Sequence, residues 1–361
     1  MKSFDNIIDE AIKEAYQFKK WKFKNEAEFK HELFHILAKK ISRNNKLEYK
    51  GKTGYTSILH AEARPENGIN SKADIIICNP ESENQPLFNY SVEYILELKY
   101  KFNKRNFEDE IKKLNRYSRN FKSIYFISAT GSRKSIKDDK IEHYTSKNII
   151  VKFPPNQIGK NIVNIKSVEF NWENIFNIVQ KSILKVLNKY GNNKEQFKAY
   201  FWCNYEGEVS KGFSYPSEGD FNAFLYNELR LNLPSGIEIR SEFSIKDNKK
   251  NYRIDLVVSD VDKTFLIPIE VKMNWDQFKL ETDQRKSEAY RILKRFELLK
   301  NKYRTRKVTP ILVVIQGYWR IPTTIKKEES LYELRRAKIN YNFMTFNEKN
   351  NQIEVYKHKI D

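Results

Sequence analysis

Two short stretches have the same pattern: Ile95-Leu96-Glu97-Leu98-Lys99 in the first half of the chain and Pro268-Ile269-Glu270-Val271-Lys272 in the second. Each has a glutamate and a lysine two residues apart among apolar residues. Because side chains alternate between the faces of a β-strand, the Glu and Lys of each stretch share one face. Charged groups inside an apolar strand are costly unless each has a partner. Both stretches therefore predict a buried strand with a polar site on one face.

The sequence around these stretches repeats itself. Five features occur in the same order in each half: two helix beginnings, a glutamate, an aspartate and one of the two stretches. Chance explains such an order poorly. The matching pairs are residues 3–8 with 171–176, residues 26–29 with 218–221, Glu62 with Glu242, Asp74 with Asp255, and the two stretches themselves. The chain is therefore predicted to contain two related copies of one fold.

Each copy is predicted to run helix, helix, three strands, helix, strand, which is an α/β pattern with a mixed central sheet flanked by helices. The predicted domains are residues 1–168 and 169–361, and their lengths are close to the typical domain length of roughly 150 residues. The last helix and strand of each copy are predicted at 107–118 and 123–130, and at 281–300 and 309–316. Extra hairpins are predicted at 197–215 and 341–356.

The polar face of each strand is a candidate catalytic site. Asp74 and Asp255 lie on the strand next to the Glu and Lys of their copy, which adds a second carboxylate. Carboxylate oxygens at adjacent strand ends suit a hard divalent cation such as magnesium. Such a metal activates water and polarises a phosphate, and the lysine would stabilise developing negative charge. The competing interpretation is a solvated Glu–Lys pair on an edge strand, with the Asp only capping a strand.

An Asp on one strand followed by (D/E)-x-K on the next resembles the PD-(D/E)XK nuclease superfamily, which includes restriction endonucleases. The resemblance implies two tandem restriction-endonuclease-like domains that hydrolyse phosphodiester bonds. It implies the catalytic residues Glu26, Asp74, Glu97 and Lys99 in the first copy and Glu218, Asp255, Glu270 and Lys272 in the second. The implied magnesium ligands, which manganese would also use, are Asp74, Glu97, Asp255 and Glu270.

The match to this family has open points. Ala73 and Ile254 stand where the family has a proline. Glu28 or Asp220 would replace the implied helix glutamate if its helix were rotated. Gln284 is a candidate supporting residue on the helix after the second site. Basic residues near the sites are candidate phosphate contacts: Arg64, Lys72, Arg253, Arg285 and Arg291.

The expected function is a magnesium-dependent endonuclease, a deoxyribonuclease that cuts double-stranded DNA with two sites, in restriction or phage defence. RNA is left open as a substrate. So are a homodimer, a further protein partner, and a nucleic-acid-binding module in which one or both sites are inactive. The net charge of +19 over 361 residues favours a polyanionic partner, although a lysine-rich composition alone also explains it.

A cytoplasmic location is expected. The two cysteines, Cys78 and Cys203, form no CxxC spacing, and neither a signal peptide nor an apolar stretch long enough to span a membrane is evident. With 40% hydrophobic residues the chain can bury real cores.

A second motif competes with the nuclease interpretation. His31-Glu32-Leu33-Phe34-His35 matches the zinc-protease pattern HExxH, whose two histidines share a helix face. No third ligand stands at a familiar spacing, and residues 223–227 of the second copy lack histidine. The helix is therefore interpreted as the first core helix of the nuclease domain, with both histidines at its surface.

Overall fold

The computed structural model divides the chain into two compact units: Met1–Val163 with Cys203–Ala223, and Asn164–Trp202 with Phe224–Asp361. The predicted boundary between residues 168 and 169 stays a prediction. The residues described are 3–18, 23–44, 48–51, 54–63, 72–78, 92–101, 109–110, 112–114, 121–130, 148–154, 170–191, 218–247, 250–274, 288–304, 306–316, 339–347 and 352–358.

The first unit is built on a mixed sheet. Its elements in chain order are helices α1 (Phe4–Tyr16) and α2 (Glu26–Asn44), then strands β1 (Glu48–Gly51), β2 (Gly54–Ser57), β3 (Leu59–Ala63), β4 (Ala73–Cys78), β5 (Val92–Lys101), β6 (Ser123–Thr130) and β7 (Ile149–Lys152). The strand order is β3-β4-β5-β6-β7. The pairs β3/β4 and β4/β5 are antiparallel, and β5/β6 and β6/β7 are parallel. Strands β1 and β2 form a separate hairpin that the sequence did not predict.

The second half repeats this plan. It contains helices α3 (Trp172–Gly191), α4 (Glu218–Asn232) and α5 (Glu288–Lys302), with strands β8 (Ile237–Asp247), β9 (Lys250–Asp260), β10 (Phe265–Asn274), β11 (Lys307–Val308), β12 (Ile311–Gln316), β13 (Asn340–Asn347) and β14 (Gln352–His358). The order is β14-β13-β12-β10-β9-β8, with β11 also beside β10. Here too the pairs before the Glu–Lys strand are antiparallel and the next pairs are parallel.

Helix α2 is buried around most of its circumference. Helix α1 packs against one side of it, and strands β3, β4 and β5 contact it as well. His31 and His35 are consequently only 4% and 7% exposed, so the prediction that they lie at the surface is wrong. Helix α1 presents only one stripe, which includes Ile8 and Ile12, to the core.

The coarse fold prediction is confirmed: two mixed sheets packed with helices indicate two α/β domains. Strand 123–130 and the final hairpin are confirmed as β6 and as β13 with β14. The predicted strand 309–316 is shorter, because Pro310 has no amide hydrogen for the ladder and β12 begins after it. The predicted hairpin at 197–215 lies outside the described residues. Among the described helices, none is long and apolar enough to cross a membrane.

Candidate active sites

In the first unit, two strands bring Asp74 and Glu97 together. Strands β4 and β5 are antiparallel with Ile75 opposite Leu96. The register therefore places Asp74 opposite Glu97, and their side chains are neighbours on one face of the sheet. The Asp74 carboxylate accepts a hydrogen bond of 2.8 Å from the backbone amide of Leu98. This bond holds Asp74 against the strand that carries Glu97 and Lys99.

The second unit reproduces this arrangement. Strand β9 pairs antiparallel with β10, with Leu256 opposite Ile269. The Asp255 carboxylate accepts a hydrogen bond of 2.8 Å from the amide of Val271, which follows Glu270 as Leu98 follows Glu97. The repeat in the sequence is therefore also a repeat in geometry, down to the amide that the aspartate binds.

Glu97 is only 1% exposed and has a cationic partner. The ammonium group of Lys113 donates a hydrogen bond of 2.7 Å to its carboxylate. Burial and the nearby charge of Asp74 nevertheless raise the pKa of Glu97 to about 8, although Lys113 and Lys99 act in the opposite direction. The pair Asp74–Glu97 therefore resists carrying two negative charges.

Glu270 is fully buried in the same position of the second unit. Its two carboxylate oxygens accept hydrogen bonds of 2.8 and 3.0 Å from one guanidinium nitrogen of Arg295. Burial, followed by the charge of Asp255, raises its pKa well above the usual range, against the effect of Arg295 and Lys272. Both sites thus pair an aspartate with a buried glutamate that favours its protonated form.

The two lysines have different partners. The ammonium nitrogen of Lys99 lies 3.7 Å from a Glu26 oxygen and 3.3 Å from a Glu110 oxygen. Burial lowers the pKa of Lys99, but Asp74, Glu26, Glu110 and Glu97 together raise it above its usual value. The ammonium nitrogen of Lys272 instead lies 3.9 Å from Asp255 and 4.0 Å from Glu270, the two acids of its own site.

The helix glutamate of the first site lies close to the strand residues. Glu26 accepts a hydrogen bond of 3.2 Å from the amide of Tyr100, and burial and Asp74 raise its pKa. Glu28 is turned elsewhere, since its carboxylate accepts the amide hydrogen of Lys24 at 2.8 Å. The structure therefore brings Glu26, Asp74, Glu97 and Lys99 into one region.

In the second half the helix residues are placed differently. Glu218 begins α4, and residues 218–223 belong to the first compact unit. Within that unit, the Asp220 carboxylate is fully buried, lies 3.1 Å from His60 and accepts the amide hydrogen of Ala61 at 2.5 Å. A catalytic role for Glu218 stays a prediction, as do the assigned roles of the other candidate residues.

Three charged neighbours of the sites were missed by sequence reasoning: Lys113, Arg295 and Glu110. Lys113 follows its glutamate by 16 residues and Arg295 follows its glutamate by 25, so an alignment of the repeat does not pair them. The available signal was a basic residue on the helix after each Glu–Lys strand. Of the suggested basic residues, Arg64 and Arg285 lie outside the described residues, as does Gln284.

A bound metal would find two carboxylates in each site. Among the described residues, no three His, Cys, Asp or Glu side chains form a group that could hold a metal ion. The donor chemistry still fits magnesium, which keeps several waters and binds through one or two carboxylates and substrate phosphates. A cation beside each Asp–Glu pair would also relieve the repulsion that raises the glutamate pKa.

The HExxH residues are arranged as part of a core. Glu32 is 2% exposed, and both histidines are buried. Burial, and then the charge of Lys30, lowers the pKa of His31 to about 3. These side chains fill the space between α2 and its neighbours, which favours packing over zinc chemistry.

In comparisons with known proteins, no protein-family model matches the chain, and no curated protein shows significant similarity to it.

Proposed function

We propose that the chain is a magnesium-dependent endonuclease of the PD-(D/E)XK type that hydrolyses phosphodiester bonds in double-stranded DNA at two sites. One observation carries this proposal. In both units an aspartate accepts a hydrogen bond of 2.8 Å from the amide that follows a buried glutamate, and a lysine lies two residues after that glutamate. Surface salt bridges have no reason to recur in this form, whereas a catalytic constellation has one.

The residues of each site would divide the chemistry. A magnesium ion at the Asp–Glu pair would supply an activated water and a polarised phosphate. Asp74 and Asp255, fixed by backbone amides, would hold that ion in a constant position relative to the strand. Lys99 and Lys272 would stabilise negative charge on the phosphate as the bond breaks. Lys113 and Arg295 would keep the buried glutamates oriented.

Two sites in one chain suit a substrate with two strands. Each site would cut one strand, a task for which single-site enzymes need two copies. The charge of +19 agrees with a polyanionic substrate, because basic side chains release counterions from DNA. A role in restriction or phage defence and a cytoplasmic location remain part of this proposal.

A nucleic-acid-binding module is the second candidate. It is favoured by the cations that already contact the buried glutamates, Lys113 at 2.7 Å and Arg295 at 2.8 Å. If these cations satisfy the carboxylates, the sites would bind nucleic acid without cutting it. Divalent-metal calorimetry separates the candidates, since the nuclease requires magnesium or manganese binding that the inactive module lacks.

The decisive experiment is cleavage of supercoiled plasmid with magnesium. We expect the wild type to yield linear DNA, Lys99→Ala and Lys272→Ala to yield mainly nicked circles, and the double variant to leave the plasmid intact. Lys39→Ala and Lys250→Ala, at exposed positions, are the matched controls and should cut like the wild type. Plasmid that stays intact with wild type, with RNA and modified DNA also uncut, would contradict the nuclease and favour the binding module.

A further inference from the structure

The backbone adopts a left-handed conformation at three described non-glycine residues: φ is 52° at Glu62, 46° at Glu242 and 54° at Lys263. Lys263 lies in the turn between β9 and β10, where such angles are ordinary. The two glutamates instead lie inside strands β3 and β8. A long side chain in this conformation costs free energy, persists only where its surroundings enforce it, and occurs preferentially at functional sites.

Both glutamates occupy the same place relative to a candidate site. Residues 61 and 63 pair with 75 and 73, so Glu62 lies opposite Asp74. Residues 241 and 243 pair with 256 and 254, so Glu242 lies opposite Asp255. On the other side of each aspartate, its carboxylate takes an amide of the next strand. The left-handed glutamate is therefore a repeated part of the sheet at the point where the aspartate stands.

Each glutamate holds a basic side chain beside that aspartate. The ammonium nitrogen of Lys30 lies 2.5 Å from Glu62 and 3.9 Å from Asp74. Burial raises the pKa of Glu62, but Lys30, His31 and Lys72 together outweigh burial and leave the pKa below its usual value. In the second unit the guanidinium of Arg253 donates a hydrogen bond of 2.8 Å to Glu242. Arg253 stands two residues before Asp255 and so shares its strand face.

The basic partners come from different elements, while the glutamate is the same. Lys30 is on helix α2, and the repeat in the sequence places Asn222 at its counterpart. Arg253 is on β9, and its counterpart is Lys72, which also lowers the pKa of Glu62. The Glu242–Arg253 pair is largely exposed, 41% and 63%, so it adds little to stability. Stability does not explain why the strained glutamate recurs.

We propose that Glu62 and Glu242 are positioning residues, each holding a basic side chain beside the site's aspartate so that it binds a phosphate of the nucleic-acid backbone next to the bond that is cut. Lys30 and Lys72 serve the first site, and Arg253 serves the second. This role rests on the proposed function, because it names the group that each site would use to hold its substrate.

A double-mutant cycle in the second unit tests whether the glutamate acts through its partner. With Asp74→Asn silencing the first site, we expect Glu242→Gln and Arg253→Ala each to lower kcat/KM for a short duplex about tenfold. The double variant should be no slower than Arg253→Ala alone, because the second change removes a group that has already lost its partner. Effects that multiply, or a Glu242→Gln variant as fast as its parent, would overturn the proposal.

The matched control removes another acid on the same strand. Asp247 lies 3.8 Å from Lys294, far along β8 from Glu242, and Asp247→Asn should leave kcat/KM unchanged. If Asp247→Asn were as slow as Glu242→Gln, the loss would reflect general charge and the positioning role would be wrong.

Glycine variants separate the carboxylate from the backbone. Glu242→Gly removes the side chain while relieving the left-handed strain, so its denaturation midpoint should be no lower than that of the parent although cleavage is slow. Lys263→Gly should relieve the same strain and keep full activity. In the first unit, a Cβ at Gly219 would lie 2.6 Å from Glu62 atoms, so Gly219→Ala should displace Glu62 and slow the first site. A fully active Glu242→Gly would overturn the proposal.

Binding without metal distinguishes failure of this role from failure of the nuclease. Fluorescence anisotropy of the full chain with a labelled duplex should show that Arg253→Ala reduces the slope of log Kd against log salt by about 1. If the wild type binds duplex but never cuts it, the nuclease proposal fails. If the slope for Arg253→Ala equals that of the wild type, the proposed phosphate contact is wrong, whatever the outcome for cleavage. A wild type that neither binds nor cuts overturns both.

Discussion

The two sites share a backbone arrangement but differ in the cations that surround it. In the first site Lys99 is drawn toward Glu26 and Glu110, and the buried glutamate has a lysine partner. In the second site Lys272 lies within 4.0 Å of both acids, and the buried glutamate has an arginine partner. The repeated strands therefore fix the positions of the acids, whereas the cations around them differ between the two sites.

The largest expected difference concerns the two lysines. With the first site silenced by Asp74→Asn, Lys272→Ala should slow cleavage by about 1,000-fold, the upper end of the cost of removing a transition-state donor. With the second site silenced by Asp255→Asn, Lys99→Ala should cost less, about 100-fold, because Lys99 lies closer to Glu26 and Glu110 than to the metal-binding acids. Single-turnover rates on a short duplex measure both. Equal losses would show that the two lysines act alike despite their different partners.

The next effect concerns the partners of the buried glutamates. Arg295→Met leaves the fully buried Glu270 carboxyl without its two hydrogen bonds, which should lower the free energy of unfolding by about 2 kcal/mol. Lys113→Met should also lower the free energy of unfolding, because it removes the hydrogen bond of 2.7 Å to the buried Glu97. Urea denaturation measures both variants. The combined variant Glu270→Leu, Arg295→Met is the control and should recover most of the loss, since both partners of the hydrogen bonds are then apolar.

The strands were easier to predict from the sequence than the charged residues that surround the sites. The spacing of Glu97 and Lys99, and the order of elements on either side, follow from a two-residue period that is visible in the sequence. The buried histidines His31 and His35 were placed wrongly, because local sequence does not show that α2 is covered on several sides. Lys113 and Arg295 could not be paired, because helix rotation decides which basic residue meets the glutamate.

The left-handed glutamates illustrate the same limit. Glu62 and Glu242 were visible as a repeated pair ahead of the aspartates, but nothing in their chemistry announces a positive φ. Such angles are typical of glycine and asparagine, so a glutamate there depends on pairing between distant strands. Elements with a strong local period can be predicted from sequence, while strained or paired residues at a site require the tertiary structure.

A pH-dependent effect follows from the protonation of Glu97. Its pKa is about 8 when folded and roughly 4.3 when unfolded, so the folded state holds the proton more tightly. The stabilisation from this proton is complete below the unfolded pKa and is lost as pH rises toward 8. The side chain that Glu97→Gln introduces is neutral at every pH. The stability of this variant relative to wild type should therefore increase from about pH 5 to 8, by at most about 1.4 kcal/mol per pH unit.

Urea midpoints in the presence of a chelator, measured at several pH values, test this dependence. The chelator removes divalent ions that would compete with the proton for the carboxylate. Glu270→Gln should show a change of the same sign, because the pKa of Glu270 is also raised. A constant difference between Glu97→Gln and wild type over this pH range would mean that Glu97 is ionised in the folded protein.

The smallest expected effect tests Glu110, which has an apolar counterpart in the second unit. Glu110 precedes Lys113 by three residues, and Ile292 precedes Arg295 by three, so Ile292 takes its place by helix position. Glu110→Gln removes the charge 3.3 Å from Lys99, and Lys99 should then move toward Asp74 and Glu97, as Lys272 lies beside its own acids. The first site should become faster by about threefold, the effect of a partly exposed ion pair. Rates with Asp255→Asn silencing the second site measure it, and a slower first site would show that Glu110 supports Lys99 rather than diverting it.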